Sequence, residues 1–450
     1  MLDIVSLTAC LSGILSRREI RYFHDFIVSF YLTYHTTTTR SLSRYSNYSL
    51  RSLFRFLSGS YDWIAIRVRL FGNFCFSPSV RYILAADETV EGKSRSKTFG
   101  ISRFYSSTAG VTVSGICWFG MTLIEVDSAT SYFLGTEQIV YSLEDKARIK
   151  VLKSKQEANK ERIKKGEKKQ GGRPIGSKNK AKEENNTISF RVFKSLFIKV
   201  LEMLLAICPS IQLQHMVLDS AYSTADYAHL LKNKGLFIVT KFKRNARLVF
   251  PYSGEQKGKK KKQYGEAVNT DKLPDEYIVK TEIKDGIEKT YYQFQAYAPY
   301  TFGLQLLNIV VIQAKRLSDG KVSKAILVSN DLKLSSEQLT TYYQLRFQIE
   351  FDFRDAKQHF GLSDCKNYKQ QNLTNFVNLS FTLCLVSKIN LKTYRQELNA
   401  PKLSIIDLKM LFRARNELKN FIKLVPNQPN TILFKQLCDN YIPNDLINAA

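Results

Sequence analysis

Three acidic side chains stand where the chain can bring carboxylates together. Asp87 closes the apolar run RYILAAD, Asp219 closes HMVLD, and Glu350 lies in the aromatic-rich helical stretch YYQLRFQIEFDFRDAK. Carboxylates at the ends of adjacent buried strands can converge, and a helix packed over them can supply a third. Three oxygen donors with open positions suit Mg²⁺, which keeps several waters and binds phosphate oxygens. Two such ions about 3.5–4 Å apart can activate a water and stabilise the leaving oxygen of a phosphodiester displacement. Taken singly, each aspartate reads first as a turn or cap residue; that alternative is much weaker for the three together.

The helical stretch offers a choice of acids. At about 100° per residue along one continuous helix, Tyr343, Arg346, Glu350 and Lys357 fall within a sector about 60° wide. Ile349, Phe353, Ala356 and Phe360 form the neighbouring stripe, expected to face the core. Asp352, Asp355, Gln344, Gln348 and His359 fall on the opposite side, so Asp352 and Asp355 are expected to be solvated. Glu350, flanked by cations beside the apolar stripe, is the acid of the three best placed for chemistry, though helix geometry alone favours a plainer reading. An Arg346–Glu350 ion pair along the helix is the plain alternative.

Elements to position these residues are legible around them. RYILAADETV, KTFGISRFYSS, VTVSGICWFGMTLIEV, HMVLD and LFIVTKFK read as strands. Residues 245–332 alternate in strand fashion and read as a β-rich insertion carrying the basic loop KGKKKK. FRVFKSLFIKVLEMLLAI reads as a helix. So does STADYAHLLKNKG, with Ser223 or Thr224 as cap and Gly235 as stop. The first 75 residues look helical and basic, placing Leu50, Leu53, Phe54 and Leu57 on one face with arginines 40, 44, 51 and 55 between them. This suits a small DNA-binding unit, and an ordinary amphipathic helix nearly as well. From Lys146 to Lys182 the chain is dense in lysine and reads as a charged helix running into a disordered segment.

The whole chain bounds the partner. It has 450 residues, 44% hydrophobic, and a net charge of +27. Such an excess repels itself unless a polyanion is bound, nucleic acid first and an anionic membrane surface second. No uninterrupted apolar run reaches the length of a membrane span, so the membrane reading falls behind. Seven cysteines stand without a CxxC or a zinc-like Cys/His spacing, which reads as reduced thiols in a cytosolic protein.

Tyr343, Arg346, Glu350 and Lys357 meet the pattern Y-x2-R-x3-E-x6-K. This resembles the signature of DDE transposases from bacterial insertion sequences, the family numbered four and its relatives. LAADETVEGK and MVLDSAYST resemble that family's first and second aspartate segments. The resemblance implies an α/β fold: an RNase H-like core with a mixed sheet, helices on both faces, and a β-rich insertion before the glutamate. Its parts would be a helical DNA-binding region at 1–78, core at 79–244 with a basic segment at 143–186, insertion at 245–332, core again at 333–395, and a helical region at 396–450. It implies that Asp87, Asp219 and Glu350 hold Mg²⁺, with Mn²⁺ as a substitute, and that Tyr343, Arg346 and Lys357 contact phosphates at the element end. Glu88 stands where family members often carry a second aspartate, and is left outside the catalytic set. GGRPIGSKNK resembles an AT-hook without its outer arginines, making Arg173, Pro174, Lys178 and Lys180 candidate DNA contacts; a solvated linker is the alternative. The function implied is cleavage at element ends and joining of the 3′-OH to target DNA, by a homodimer on DNA in the bacterial cytoplasm, at the nucleoid, without membrane. A nuclease of this fold without strand transfer, or an inactive DNA-binding descendant, remain alternatives.

Overall fold

The computed structural model describes residues 4–106, 109–166, 187–256, 261–424 and 431–443. Five helices open the chain: α1 Ile4–Ala9, α2 Arg17–Leu32, α3 Thr39–Leu42, α4 Leu50–Leu57 and α5 Trp63–Phe74. Four strands follow, β1 Arg81–Gly92, β2 Ser102–Ser106, β3 Val111–Glu125 and β4 Thr130–Ile139, then helices α6 Leu143–Lys164 and α7 Ile188–Ile207. Strand β5 (Gln212–Leu218), helix α8 (Ala225–Asn233) and strand β6 (Phe237–Phe242) continue the core. Six more strands are β7 Val249–Pro251, β8 Tyr264–Ala267, β9 Ile278–Lys284, β10 Ile287–Tyr297, β11 Leu306–Arg316 and β12 Val322–Ser329. Helices α9 Ser336–Leu345, α10 Gln348–His359, α11 Gln370–Glu397, α12 Ile405–Ile422 and α13 Thr431–Asn440 close the chain.

The described strands form one 12-stranded mixed sheet in the order β2-β3-β1-β5-β6-β12-β11-β10-β7-β8, with β4 beside β3 and β9 beside β10. Parallel pairing is confined to β1–β5 and β5–β6. The expected β-rich stretch therefore continues the core sheet through β12, which pairs antiparallel with β6. Strand alternation sends residues to two faces. Leu84, Met216, Leu218 and Ile238 pack with Phe193, Phe197 and Leu231 from α7 and α8. Ile83, Ala85, Val217 and Val239 pack on the other face with Tyr342 and Leu345 of α9. Helices thus cover both faces, as an RNase H-like fold requires.

Several local expectations change. Strand β4 had no counterpart in the sequence reading, yet it lies under α5, α7, α10 and α11. In α4 the core-facing residues are Leu53, Phe56 and Leu57, while Phe54 is exposed, so the buried face is rotated from the one expected. Thr224 sits at the N-cap of α8 without a side-chain cap bond. The Ala225 amide instead donates to the Thr301 carbonyl at 2.9 Å, so the insertion caps this helix. Gly235 does end it, at φ +77°. The first five helices share the main hydrophobic core. Trp63 Nε1 donates to Asn375 Oδ1 at 2.8 Å, and buried Arg67 donates to the Leu134 and Asn378 carbonyls. All seven cysteines are free thiols and six are buried.

Candidate active site

The register of the central strands sets the first two acids. Ala86 pairs with Leu218 in the parallel β1–β5 ladder, so Asp87 and Asp219, one residue further along each chain, come abreast. Asp219 follows the end of β5 as expected. Asp87 does not close its strand: β1 runs on to Gly92 beside β3, with Asp87 opposite Gly120.

The third acid comes from a broken helix, not the continuous one expected. Arg346 and Phe347 separate α9 from α10. The break still turns Tyr343, Arg346 and Glu350 toward the same strands. Arg346 Nη1 lies 2.8 Å from Asp87 Oδ2, and its Nη2 lies 2.8 Å from Glu350 Oε1. Tyr343 OH donates to Asp219 Oδ1 at 3.5 Å. The intrahelical pair raised as an alternative is therefore present, within a larger cluster. Lys357 reaches further along β1, to Glu91 Oε1 at 2.8 Å and to the Val90 carbonyl at 3.4 Å. Helix α10 thus runs along β1, with Glu350 above Asp87 and Lys357 above Glu91.

The electrostatics are those of crowded acids. The Asp87 carboxyl is raised to about 6, chiefly by burial and further by Asp219 and Glu350, against the lowering pull of Arg346 and the Glu88 amide. Burial and Asp219 raise the Tyr343 hydroxyl to about 12, so it stays a donor at neutral pH. Glu88 faces away, accepting from Ser189 Oγ at 2.7 Å.

The opposite side of α10 overturns one expectation. Asp352 is not solvated; it is fully buried, accepting from Thr122 Oγ1 at 2.8 Å and Ser131 Oγ at 3.0 Å and pairing with Lys388. The helical wheel was right about its angle and silent about β4 and α11, which pack there. Asp355 is also mostly covered, its carboxyl raised chiefly by burial. Ile349, Phe353, Ala356 and Phe360 are buried as expected. Glu91 was missed although its signal was available: it is four residues from Asp87 on the same strand face. Arg173, Pro174, Lys178 and Lys180 lie outside the described residues.

A family profile described as the transposase DDE domain matches residues 195–386. Over those residues the chain is similar to a transposase DDE domain, consistent with a DDE transposase. No curated protein matches the chain. The profile spans Asp219, Tyr343, Arg346, Glu350 and Lys357, while Asp87 lies before it. A transposase domain of this kind is a DNA-cleaving one, binds DNA, and belongs to a family that uses divalent metal ions. Among the described residues no three His, Cys, Asp or Glu side chains are gathered as a ready metal site. The Arg346 guanidinium lies between Asp87 and Glu350, 2.8 Å from each. The donors themselves fit a hard cation, being carboxylates whose mutual charge already disfavours Asp87's ionisation. Among the described residues no helix is long and apolar enough to cross a membrane.

Proposed function

We propose that this chain is a DNA transposase that binds the ends of its own insertion sequence, cuts there, and joins the 3′-OH to target DNA. The observation that supports it best is the β1–β5 register, which sets Asp87 abreast of Asp219 while Arg346 ties Asp87 to Glu350. In this reading Asp87, Asp219 and Glu350 hold Mg²⁺, or Mn²⁺ in its place, once Arg346 releases its carboxylates. A bound divalent ion would supply Lewis-acid stabilisation of phosphate oxygens and an activated water or 3′-OH.

The side chains have work of their own. Arg346, freed from the acids, presents a planar fork suited to phosphate. Tyr343 donates its hydroxyl from beside Asp219. Lys357 holds α10 on β1 through Glu91 and extends the cationic edge along the same strand. Synapsis of two ends calls for a homodimer on DNA, and the reading places the protein at the nucleoid in a bacterial cytoplasm. Arg173, Pro174, Lys178 and Lys180 are proposed as minor-groove and phosphate contacts.

Nicking of a duplex carrying the element end tests the site. Asp87→Asn, Asp219→Asn and Glu350→Gln should each abolish Mg²⁺-dependent cleavage while leaving DNA binding within a few-fold. Wild-type chain should gain thermal stability on adding Mn²⁺, and the variants should not. Cleavage retained in Glu350→Gln would remove that residue from the site.

A further inference from the structure

Helix α6 is a physical oddity. It runs 22 residues with no buried side chain, between β4 and α7. Even its apolar residues Leu143, Val151, Leu152 and Ile163 are exposed, so it gains nothing from a core and its partner must be sought elsewhere. It begins firmly: Ser142 and Asp145 form a capping box, and Asp145 accepts from Arg191 of α7 at 2.7 Å. Two residues before Arg191, Ser189 holds Glu88, the chain neighbour of Asp87. The helix is therefore rooted beside the strand that carries the first acid.

Five of its eight basic side chains share one side. At about 100° per residue, Lys146, Lys150, Lys153, Lys160 and Lys164 fall within a sector about 80° wide. Only Glu157 interrupts this line. All five lysines stand in solvent, and among the described residues none is in an ion pair. Arg148, Lys155 and Arg162 lie on the other side of the helix. From Lys146 to Lys164 the line rises about 27 Å at 1.5 Å per residue, close to one turn of B-DNA at about 34 Å.

We infer that the lysine face of α6 is a docking surface for duplex DNA, laid against its phosphates and holding the duplex beside the acid cluster. The inference rests on the transposase reading above and adds to it a specific, ordered contact surface. Spaced phosphates along one groove edge match a straight row of flexible ammonium groups, whereas a small anion would need converging donors that this convex helix lacks. The contact is sequence-independent and salt-sensitive.

The experiment is duplex binding by the full chain over a salt series. Each phosphate neutralised contributes about 0.9 to the log–log slope. Changing all five lysines to Gln should flatten the slope by up to about 4.5. The same five changed to Arg should keep it. Arg148→Gln with Lys155→Gln should leave it nearly unchanged. An unaltered slope in the Gln variant overturns the inference, as does an equal loss per charge from both sides of the helix, or a loss shared by the Arg variant. Mg²⁺-dependent nicking in the same preparations keeps the two readings apart. Wild-type nicking with a slope indifferent to the lysines refutes α6 as the dock and leaves the transposase standing; a wild type that neither binds nor nicks duplex refutes both.

Discussion

At the residue scale, two aspartates on or under one helix carry opposite consequences. Asp87 is held in its acid form up to about pH 6, against an ordinary 3.8. Between those values the folded chain keeps a proton that the unfolded chain has released. Stability therefore falls as pH rises through that window, by roughly 3 kcal/mol in all. Thermal melts of metal-free protein from pH 4 to 7.5 should show Asp87→Asn losing less stability than wild type as pH rises; identical profiles would refute the effect. Asp352 matters through its partners instead. Its carboxylate is buried with Lys388 among hydroxyls, so Asp352→Asn leaves an ammonium unpaired and should cost about 3–5 kcal/mol. Asp355→Asn, where burial already disfavours the charge, should cost little. Urea unfolding of the two variants distinguishes them, and equal midpoints would show Asp352 to be as dispensable as a solvated acid.

At the element scale, the placement of α10 depends on a missing side chain. A Cβ on Gly120 would come 2.7 Å from Phe353 Cε1, and Gly120 lies opposite Asp87 in the β1–β3 ladder. Gly120→Ala should lift Phe353 and tilt the helix that carries Glu350. Overpacking of this kind costs about 1–3 kcal/mol. Because Glu350 lies on the moved helix, cleavage should fall by a larger factor than folding stability accounts for; a proportionate loss would mean the helix does not shift. Much at this scale was legible beforehand. The apolar runs gave β1, β3, β5 and β6, and the period of Ile349, Phe353, Ala356 and Phe360 gave the packed face of α10. What escaped were properties of neighbours: the break at Arg346–Phe347, the burial of Asp352 by β4 and α11, and the capping of α8 by Thr301. A helical wheel assigns an angle, and only tertiary packing decides which angles are wet. The sequence did name residues that come together, since Tyr343 reaches Asp219 and Arg346 reaches both Asp87 and Glu350; the roles assigned to them are a proposal. Lys357 pairing with Glu91 needed the strand's own alternation.

At the scale of the whole molecule, the opening helices share one core with the sheet and α11. Trp63 meets Asn375, and Arg67 is spent on main-chain carbonyls of Leu134 and Asn378. Arg40, Arg44, Arg51 and Arg55 remain exposed on that block and free to meet DNA. Deleting residues 1–75 should strip the apolar surface of α11 and β4 of its cover, giving an aggregating product. A monomeric, cooperatively melting fragment would instead show the block to be an independent unit.

The position of α6 between β4 and α7 has a further consequence. Strands β1 to β4 precede it in the chain, while β5 and everything after follow it, and the two halves meet in the parallel β1–β5 ladder, with β4 also packed against α7. A peptide bond cut within α6 would sever the polypeptide without separating those surfaces. The chain is, in effect, two interlocking pieces, joined through a helix that buries no side chain in the body they build. Brief trypsin treatment should yield two fragments on a denaturing gel that travel together on a sizing column. Co-expressing the two pieces from separate reading frames should reconstitute the acid cluster, since Asp87 would come from one polypeptide and Asp219 and Glu350 from the other.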